Sequence, residues 1–174
     1  MSLTLEQFAS ECRRALQAKP GVEGRRQVCA LVEEACKDQA FVAAHYTPST
    51  GQRDILYEDP EVGFCICAHN YTDARESQPH DHGPSWAIYG QVAGETVMSD
   101  WTLLEPAGEG KMGKVTFAKS YTLTPGKAHL YNEGDLHSPR RDGATRLIRI
   151  EGKNVETIKR YPYQRVTDAP AAAQ

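Results

Sequence analysis

From about Arg53 onward the sequence breaks into short segments of alternating polar and apolar residues, and this pattern limits the fold more than any other feature. Gly, Pro, Asp and Asn separate the segments, which is typical of strands joined by tight turns. Within one such segment, Phe64 and Ile66 fall on one face and Cys65 and Cys67 on the other. Many short strands without long helices between them predict a two-sheet sandwich or a small barrel of jelly-roll type.

The residues that precede these strands predict two helices. Apolar residues recur at helical spacing from Leu5 to Leu16 and again from Val28 to Cys36, with a Pro-Gly pair between the two runs. Thr4 followed by Gln7 predicts a capping box at the start of the first helix. Both helices are amphipathic, so we expect them to pack on one side of the barrel.

A chain of 174 residues is long enough for one domain with its own hydrophobic core, and no internal repeat divides it. We therefore expect a single, mainly β domain over residues 1–174. Its parts are a helical N-terminal cap (1–45), a β-barrel (53–160) and a frayed tail (164–174), the tail being poor in apolar residues.

Charge and cysteine content narrow the class of partner. The formal net charge is −3, which leaves no basic surplus for a nucleic-acid backbone and favours a small-molecule partner. The five cysteines are odd in number and lack a zinc-type spacing, so we expect free thiols. The N-terminal residues show neither a signal-peptide core nor a membrane span, and we expect a cytoplasmic protein without membrane contact.

Two histidines, His80 and His82, stand one residue apart in the segment SQPHDHGPSWAIYG. On a strand, residues at i and i+2 project to the same face, close enough to share one metal ion. An H-x-H pair by itself is weak evidence for a metal site, so its context has to support it.

The context resembles the two motifs of the cupin superfamily. The spacing from His82 to Ala87 and Gly94 follows the first motif, H-x-H-x(3,4)-E-x(6)-G, with alanine in the glutamate position. Downstream, NEGDLH resembles the second motif, P-x-G-x-x-H, and ends at His137. This resemblance implies a cupin-type jelly roll in which His80, His82 and His137 bind a metal.

Other residues compete for a place at this metal. His129 also follows a Pro-Gly turn and is an alternative to His137 as the third ligand. Glu95 is a candidate fourth ligand, although a surface position is the more usual one for glutamate. His45 and His69 are expected to be ordinary surface or core histidines.

The missing glutamate has a chemical consequence. Three neutral imidazoles leave a divalent ion with its full charge and with open coordination positions, whereas a carboxylate ligand cancels half of that charge. Such a site favours an anionic, chelating substrate. Imidazole ligation suits iron, nickel, zinc and copper alike, and three-histidine zinc also supports hydrolysis.

Within the cupins, the chain resembles the thiol dioxygenases, the cysteine and mercaptopropionate dioxygenases. The shared features are the helices before the barrel, the HDH segment from His80 to His82, the W-x-x-x-G-x-x-x-G-E pattern from Trp86 to Glu95, and the DLH segment that ends at His137. Arg53 lies upstream of the H-x-H pair, about where the animal cysteine enzymes carry the arginine that binds the substrate carboxylate.

This resemblance implies non-haem iron(II) held by three histidines, with a small thiol acid and dioxygen as substrates and a sulfinic acid as product. Arg53 is then the expected partner of the substrate carboxylate, because a guanidinium binds a carboxylate through two charge-assisted hydrogen bonds. Ala87 occupies the position of the crosslinked cysteine of the animal enzymes, so that crosslink does not form here.

One departure from the thiol dioxygenases concerns the Ser-His-Tyr set that follows their third ligand. The corresponding positions here read Arg146, Ile148 and Ile150, which predicts an apolar wall with one added cation. Arg53 and Arg146 are therefore the candidate catalytic residues. Tyr89 is one of four tyrosines, with Tyr131, Tyr161 and Tyr163, that could supply the missing hydroxyl from elsewhere.

Three other functions remain open at this level. An apolar wall suits the cupin dioxygenases that cleave carbon–carbon bonds of chelating diketones. A cupin fold also serves proteins that bind a metal or small ligand without catalysis, since fold alone does not establish chemistry. An interaction module that docks a partner through its helices, and a homodimer, are both compatible with the sequence.

Overall fold

The computed structural model describes residues 3–167. Its three helices are α1 (Leu5–Ala18), α2 (Val22–Lys37) and α3 (Gln39–His45). The predicted capping box at Thr4 is present, since its hydroxyl accepts a hydrogen bond from the Gln7 amide while the Gln7 side chain accepts one from the Thr4 amide. Sequence analysis predicted two helices and missed α3, which begins where the Asp38 carboxylate caps two backbone N–H groups.

Two five-stranded sheets follow the helices. The strands in the described residues are β1 (Asp54–Glu58), β2 (Cys65–Tyr71), β3 (Arg75–Glu76), β4 (Ala87–Ala93), β5 (Thr96–Glu105), β6 (Gly113–Leu123), β7 (Ala128–Tyr131), β8 (His137–Arg141), β9 (Thr145–Glu151) and β10 (Tyr163–Arg165). The first sheet has the order β1-β2-β9-β4-β7 and the second β10-β6-β5-β8-β3. They curl around a shared interior as a jelly-roll-like barrel, which confirms the predicted mainly β class.

The helices cover the outer face of the first sheet. Phe64 and Ile66 lie in the core cluster that joins this sheet to the helices, whereas Cys65 and Cys67 fall on the opposite, inward face. This is the division that the two-residue period predicts for β2.

The orientation of β9 differs from the expectation. Ile148 and Ile150 are fully buried in the cluster between sheet and helices, so they do not form a wall of the barrel interior. The inward residues of β9 are instead Leu147, Arg149 and Glu151. A strand read one residue out of phase exchanges its two faces, and the expected apolar wall is therefore wrong.

The C-terminal segment also differs in part. Tyr163–Arg165 forms β10, which pairs in parallel with β6 from Gly113 to Val115, within the segment expected to be frayed from residue 164. Residues 168–174 of that expected tail lie outside the described residues. The cysteines Cys12, Cys29, Cys36, Cys65 and Cys67 are free thiols. Within residues 3–167, no helix is both long and apolar enough to span a membrane.

Candidate metal centre

Backbone pairing brings two of the predicted ligands together. His80 and His137 form an isolated antiparallel bridge, in which each amide donates to the carbonyl of the other at 3.0 Å. The bridge joins the loop before β4 to the first residue of β8, and it sets the two imidazole centres 4.7 Å apart. Residues far apart in sequence thus become neighbours through two hydrogen bonds.

His82 completes the cluster from the loop that follows the bridge, not from a strand as the sequence suggested. One nitrogen from each of the three rings lies within 4.8 Å of the other two. The Nε2 atoms of His82 and His137 are 3.2 Å apart. That separation suits two imidazoles that each bind one shared ion at about 2.0–2.1 Å.

Two of the rings are oriented by backbone carbonyls. Nδ1 of His80 lies 2.8 Å from the carbonyl of Gln78, and Nδ1 of His137 lies 3.0 Å from that of Asp135. Each Nδ1 therefore donates its proton to a carbonyl, which leaves the Nε2 lone pair free for a metal.

Burial keeps these imidazoles neutral. It lowers the pKa of His80 to about 4, and it holds the pKa values of His82 and His137 well below the ordinary histidine value of 6.5. Neutral imidazole is the form that binds a metal, and no carboxylate belongs to this cluster in the described part of the chain. The donor set therefore fits a divalent metal ion with three neutral ligands.

Tyr89 supplies a hydroxyl at this centre. Its oxygen lies 3.3 Å from Nε2 of His82 and 3.4 Å from Nε2 of His137, and its side chain is buried. It projects inward from β4, one of the four tyrosines that the sequence left open for this role. The hydroxyl of a buried tyrosine in this position can donate a hydrogen bond to a substrate or accept one from it.

Arg149 is the residue at this centre that sequence analysis missed. Its Nη2 lies 3.2 Å from Nδ1 of His82, and its guanidinium carbon is 4.8 Å from the centre of the Tyr89 ring. Its Nε lies 3.2 Å from a carboxylate oxygen of Glu151, but the two atoms are not aligned as a hydrogen bond. Arg149 lies between Ile148 and Ile150 on β9, so its side chain is on the opposite face of the strand. Had the two isoleucines been assigned to the outer face, the sequence would have predicted Arg149 in the barrel interior.

Arg53 lines the same cavity as His80. Its guanidinium is already held by Glu151 at 2.8 Å, by Asn154 at 2.9 Å and by Glu156 at 3.2 Å. These partners contact both Nη groups of Arg53, with which it was expected to bind a carboxylate, while its Nε has no hydrogen-bond partner in the described residues.

Arg146 lies away from the centre. Its side chain is exposed, sits over the Tyr46 ring and faces Asn70, on the outer side of the barrel near α3. The structure therefore does not bring this candidate catalytic residue to the histidines.

The remaining candidate ligands also lie apart from the cluster. His129 packs between Tyr121 and Tyr131, with ring centres 4.9 and 4.7 Å away. His45 packs edge-on against Phe41 in the helical cap, and Glu95 is exposed. His69 is buried and bonds through Nδ1 to the hydroxyl of Tyr71 at 2.9 Å.

A cavity of about 420 Å³ opens beside the cluster, between the two sheets, and His80 and Tyr89 line it where it meets the cluster. Its lining is strongly cationic, since five arginines face it and only one carboxylate side chain, Glu156, stands among the lining residues of the described chain. The arginines are Arg53, Arg75, Arg141, Arg149 and Arg160. A small anion suits such a cavity better than a neutral or cationic molecule.

Comparison with known proteins finds similarity in the fold and not in the sequence. No family model matches the sequence, and no curated protein matches it. Among solved structures, a cupin superfamily protein from Desulfitobacterium hafniense is 13% identical, with a TM-score of 0.42 over 59% of this chain and 76% of its own. KdgF from a Halomonas species is 15% identical, with a TM-score of 0.45 over 61% of this chain and 83% of its own.

A cupin-2 domain containing protein from Shewanella frigidimarina is 11% identical, with a TM-score of 0.42 over 63% of this chain and 85% of its own. None of these three is described as a thiol dioxygenase. At such low identity the likeness concerns the fold and assigns no reaction. The chain is a jelly-roll-like barrel with cupin proteins among its structural neighbours, and it carries a three-histidine cluster at the end of a cationic cavity.

Proposed function

We propose that this protein is a metal-dependent enzyme in which His80, His82 and His137 hold iron(II), and that it oxidises a small thiol acid to its sulfinic acid. One observation carries the proposal, namely three neutral imidazoles, two of them buried, without a carboxylate at the end of an arginine-lined cavity. A dication held only by neutral ligands keeps its full charge and favours an anionic substrate group such as a thiolate.

In the proposed reaction, one thiol and one dioxygen molecule give one sulfinic acid. Both oxygen atoms add to the sulfur, which is oxidised while dioxygen is reduced. A ferrous ion held by the three histidines would supply the redox chemistry by which dioxygen and the thiol react. The chain's own groups supply orientation: His80 and His137 are fixed by carbonyls, and Arg149 presents a cation beside His82.

Tyr89 is the hydroxyl in this mechanism. It lies between the cluster and the cavity, within 3.4 Å of two ligand nitrogens, so it can donate a hydrogen bond to a group that approaches the metal. Its burial raises its pKa, which keeps the phenol protonated as a donor at neutral pH.

The rival carbon–carbon cleavage of a diketone loses its support. That alternative was suggested by an apolar pocket expected at Ile148 and Ile150, and both side chains pack between the sheet and the helices. The polar, cationic lining of the cavity favours a charged substrate instead.

The test combines metal analysis with oxygen uptake. Protein purified without added metal is examined by elemental analysis, and then assayed in an oxygen electrode with cysteine and 3-mercaptopropionate after loading with Fe(II). We expect about one metal ion per chain, and oxygen uptake that is abolished in His82→Ala and retained in the control His129→Ala. Bound metal with no uptake for any thiol would favour a non-catalytic metal-binding protein or a zinc hydrolase, and uptake unchanged in His82→Ala would overturn the proposal.

A further inference from the structure

Arg141 occupies an unusual position in the barrel. It lies at the end of β8, four residues after His137, and it is only 4% exposed. Residues at even spacing along a strand share a face, so Arg141 points into the interior as His137 does. Its side chain lines the same cavity as His80 and Tyr89.

Within residues 3–167, no carboxylate forms an ion pair with this buried guanidinium. Its Nε has no hydrogen-bond partner among the described residues. The ionisable groups that act most strongly on it are Tyr71, Tyr89, Arg149 and Arg75, none of which is a carboxylate, and burial lowers its pKa. The positive charges of Arg149 and Arg75 therefore repel the charge of Arg141.

The other two arginines deep in the cavity differ in this respect. Arg53 and Arg149 both contact the carboxylate of Glu151, at 2.8 and 3.2 Å. In the described part of the chain, Arg141 has no such carboxylate and lies over the face of the Tyr71 ring, whose centre is 4.6 Å from its guanidinium carbon. A cation stacked on a ring keeps N–H groups available for an oxyanion.

An unpaired buried charge is costly, and a fold retains one most readily where a ligand supplies the missing charge. We propose that Arg141, not Arg53, binds the acidic group of the substrate, and that the substrate is a small acid with its metal-binding group at one end and an oxyanion at the other. This inference rests on the proposed function for the metal-binding end, while the oxyanion site depends only on the cavity.

The geometry gives the two ends separate places. The oxyanion lies against Arg141 near Tyr71, and the other end of the molecule reaches Tyr89 and the histidines. A carboxylate on Arg141 forms charge-assisted hydrogen bonds, which are about twice as strong as neutral ones. An uncharged amide of the same shape loses this gain.

The test is anaerobic titration calorimetry of the full chain with two acids, 3-mercaptopropionate and the thiol-free succinate, each compared with its uncharged amide. The variant is Arg141→Met, and the matched control is Arg140→Met. Arg140 is the adjacent residue, half-exposed and paired with Asp142 at 3.3 Å, and it does not line the cavity. Both variants remove one positive charge from the chain.

We expect the wild type and Arg140→Met to bind at least one acid more tightly than its amide. Arg141→Met should lose this preference, because its affinity for the acid should be about tenfold or more lower than that of the wild type. The melting temperature gives a second readout. Without ligand, Arg141→Met should melt at a temperature no lower than the wild type, because it removes an unpaired buried charge, whereas a merely structural arginine would leave the variant less stable.

Equal preference for acids in Arg141→Met and the wild type would overturn the inference, as would a wild type that binds neither acid. A marked fall in melting temperature in Arg141→Met would overturn it as well, since it would show that Arg141 serves the fold. The reaction is judged separately. Acid binding that depends on Arg141, in a protein that consumes no oxygen, would sustain this site and reject the proposed oxidation.

Discussion

Arg149 contacts the imidazole of His82, with Nη2 3.2 Å from Nδ1. An arginine donates and does not accept, so the ring accepts at Nδ1 and carries its proton on Nε2. That proton points toward Nε2 of His137, 3.2 Å away. A metal that binds both Nε2 atoms requires the other neutral tautomer of His82, in which the proton moves from Nε2 to Nδ1 and faces the Arg149 cation. The contact thus opposes metal binding even as it orients His82.

Replacement of this arginine should separate metal affinity from turnover. In Arg149→Met we expect divalent metal to bind more tightly, by about tenfold or more, because the repulsion between two cations within a buried site is removed. Oxygen uptake should fall at the same time, because the substrate loses the cation beside the metal. Competition with a chelating dye measures the affinity. Arg146→Met is the control, since its exposed side chain should leave both quantities unchanged, and weaker metal binding in Arg149→Met would contradict the prediction.

A second prediction concerns the identity of the third ligand. His137→Ala should lose stoichiometric metal, because its Nε2 faces that of His82 and its ring is fixed by Asp135. His129→Ala should retain metal, since its ring packs between two tyrosines outside the cluster. Elemental analysis after dialysis against the metal and then against buffer measures the content. Metal lost in the His129 variant and kept in the His137 variant would reverse the assignment.

Much of the fold follows from local pattern. The alternation in β2 correctly separates Phe64 and Ile66 from Cys65 and Cys67, and the capping box at Thr4 forms as predicted. These features depend on neighbours within a few residues, which the sequence displays directly.

The cavity is harder to predict, because its chemistry depends on which face of each strand turns inward. In β9, apolar residues at 148 and 150 suggested an inner wall, but the outer face of this sheet is also buried, beneath the helices. With both faces buried, hydrophobicity no longer distinguishes inside from outside. Arg149 was missed for that reason, and Arg53 was assigned without its partner Glu151, which lies 98 residues away.

The contact between the helical cap and the barrel gives a third prediction. Gly90 lies where β4 meets α2, and a Cβ built on it meets Val32 and, at 2.7 Å, the sulfur of Cys36. Gly90→Ala should therefore lower the free energy of unfolding by about 1–3 kcal/mol, the usual cost of overpacking. Urea denaturation compares it with Gly143→Ala, where an added Cβ meets no atom within 4 Å. An equal effect of both substitutions would show that the close approach of helix and sheet is not what excludes a side chain.

The last prediction concerns pH and depends on His69. This side chain is 3% exposed, and burial together with the nearby cations Arg149, Arg53 and Arg141 holds its pKa well below 6.5. Between that depressed pKa and 6.5 the unfolded chain binds a proton at this position and the folded chain does not. The contribution of His69 to the free energy of unfolding should therefore be fully present above pH 6.5. It should fall as the pH decreases, by up to about 1.4 kcal/mol per pH unit for this one group.

Urea denaturation of the metal-free protein at pH 7.5, 6.5 and 5.5 measures this dependence. His69→Gln keeps a polar side chain next to Tyr71 but cannot titrate, so we expect it to be less stable than the wild type at pH 7.5 and to approach the wild type at pH 5.5. His45→Gln is the comparison at a half-exposed histidine, whose pKa burial lowers less than that of His69. The difference in stability between His45→Gln and the wild type should therefore change less between pH 7.5 and pH 5.5. A difference between His69→Gln and the wild type that stays constant across this range would show that His69 gains its proton as readily in the folded chain as in the unfolded one.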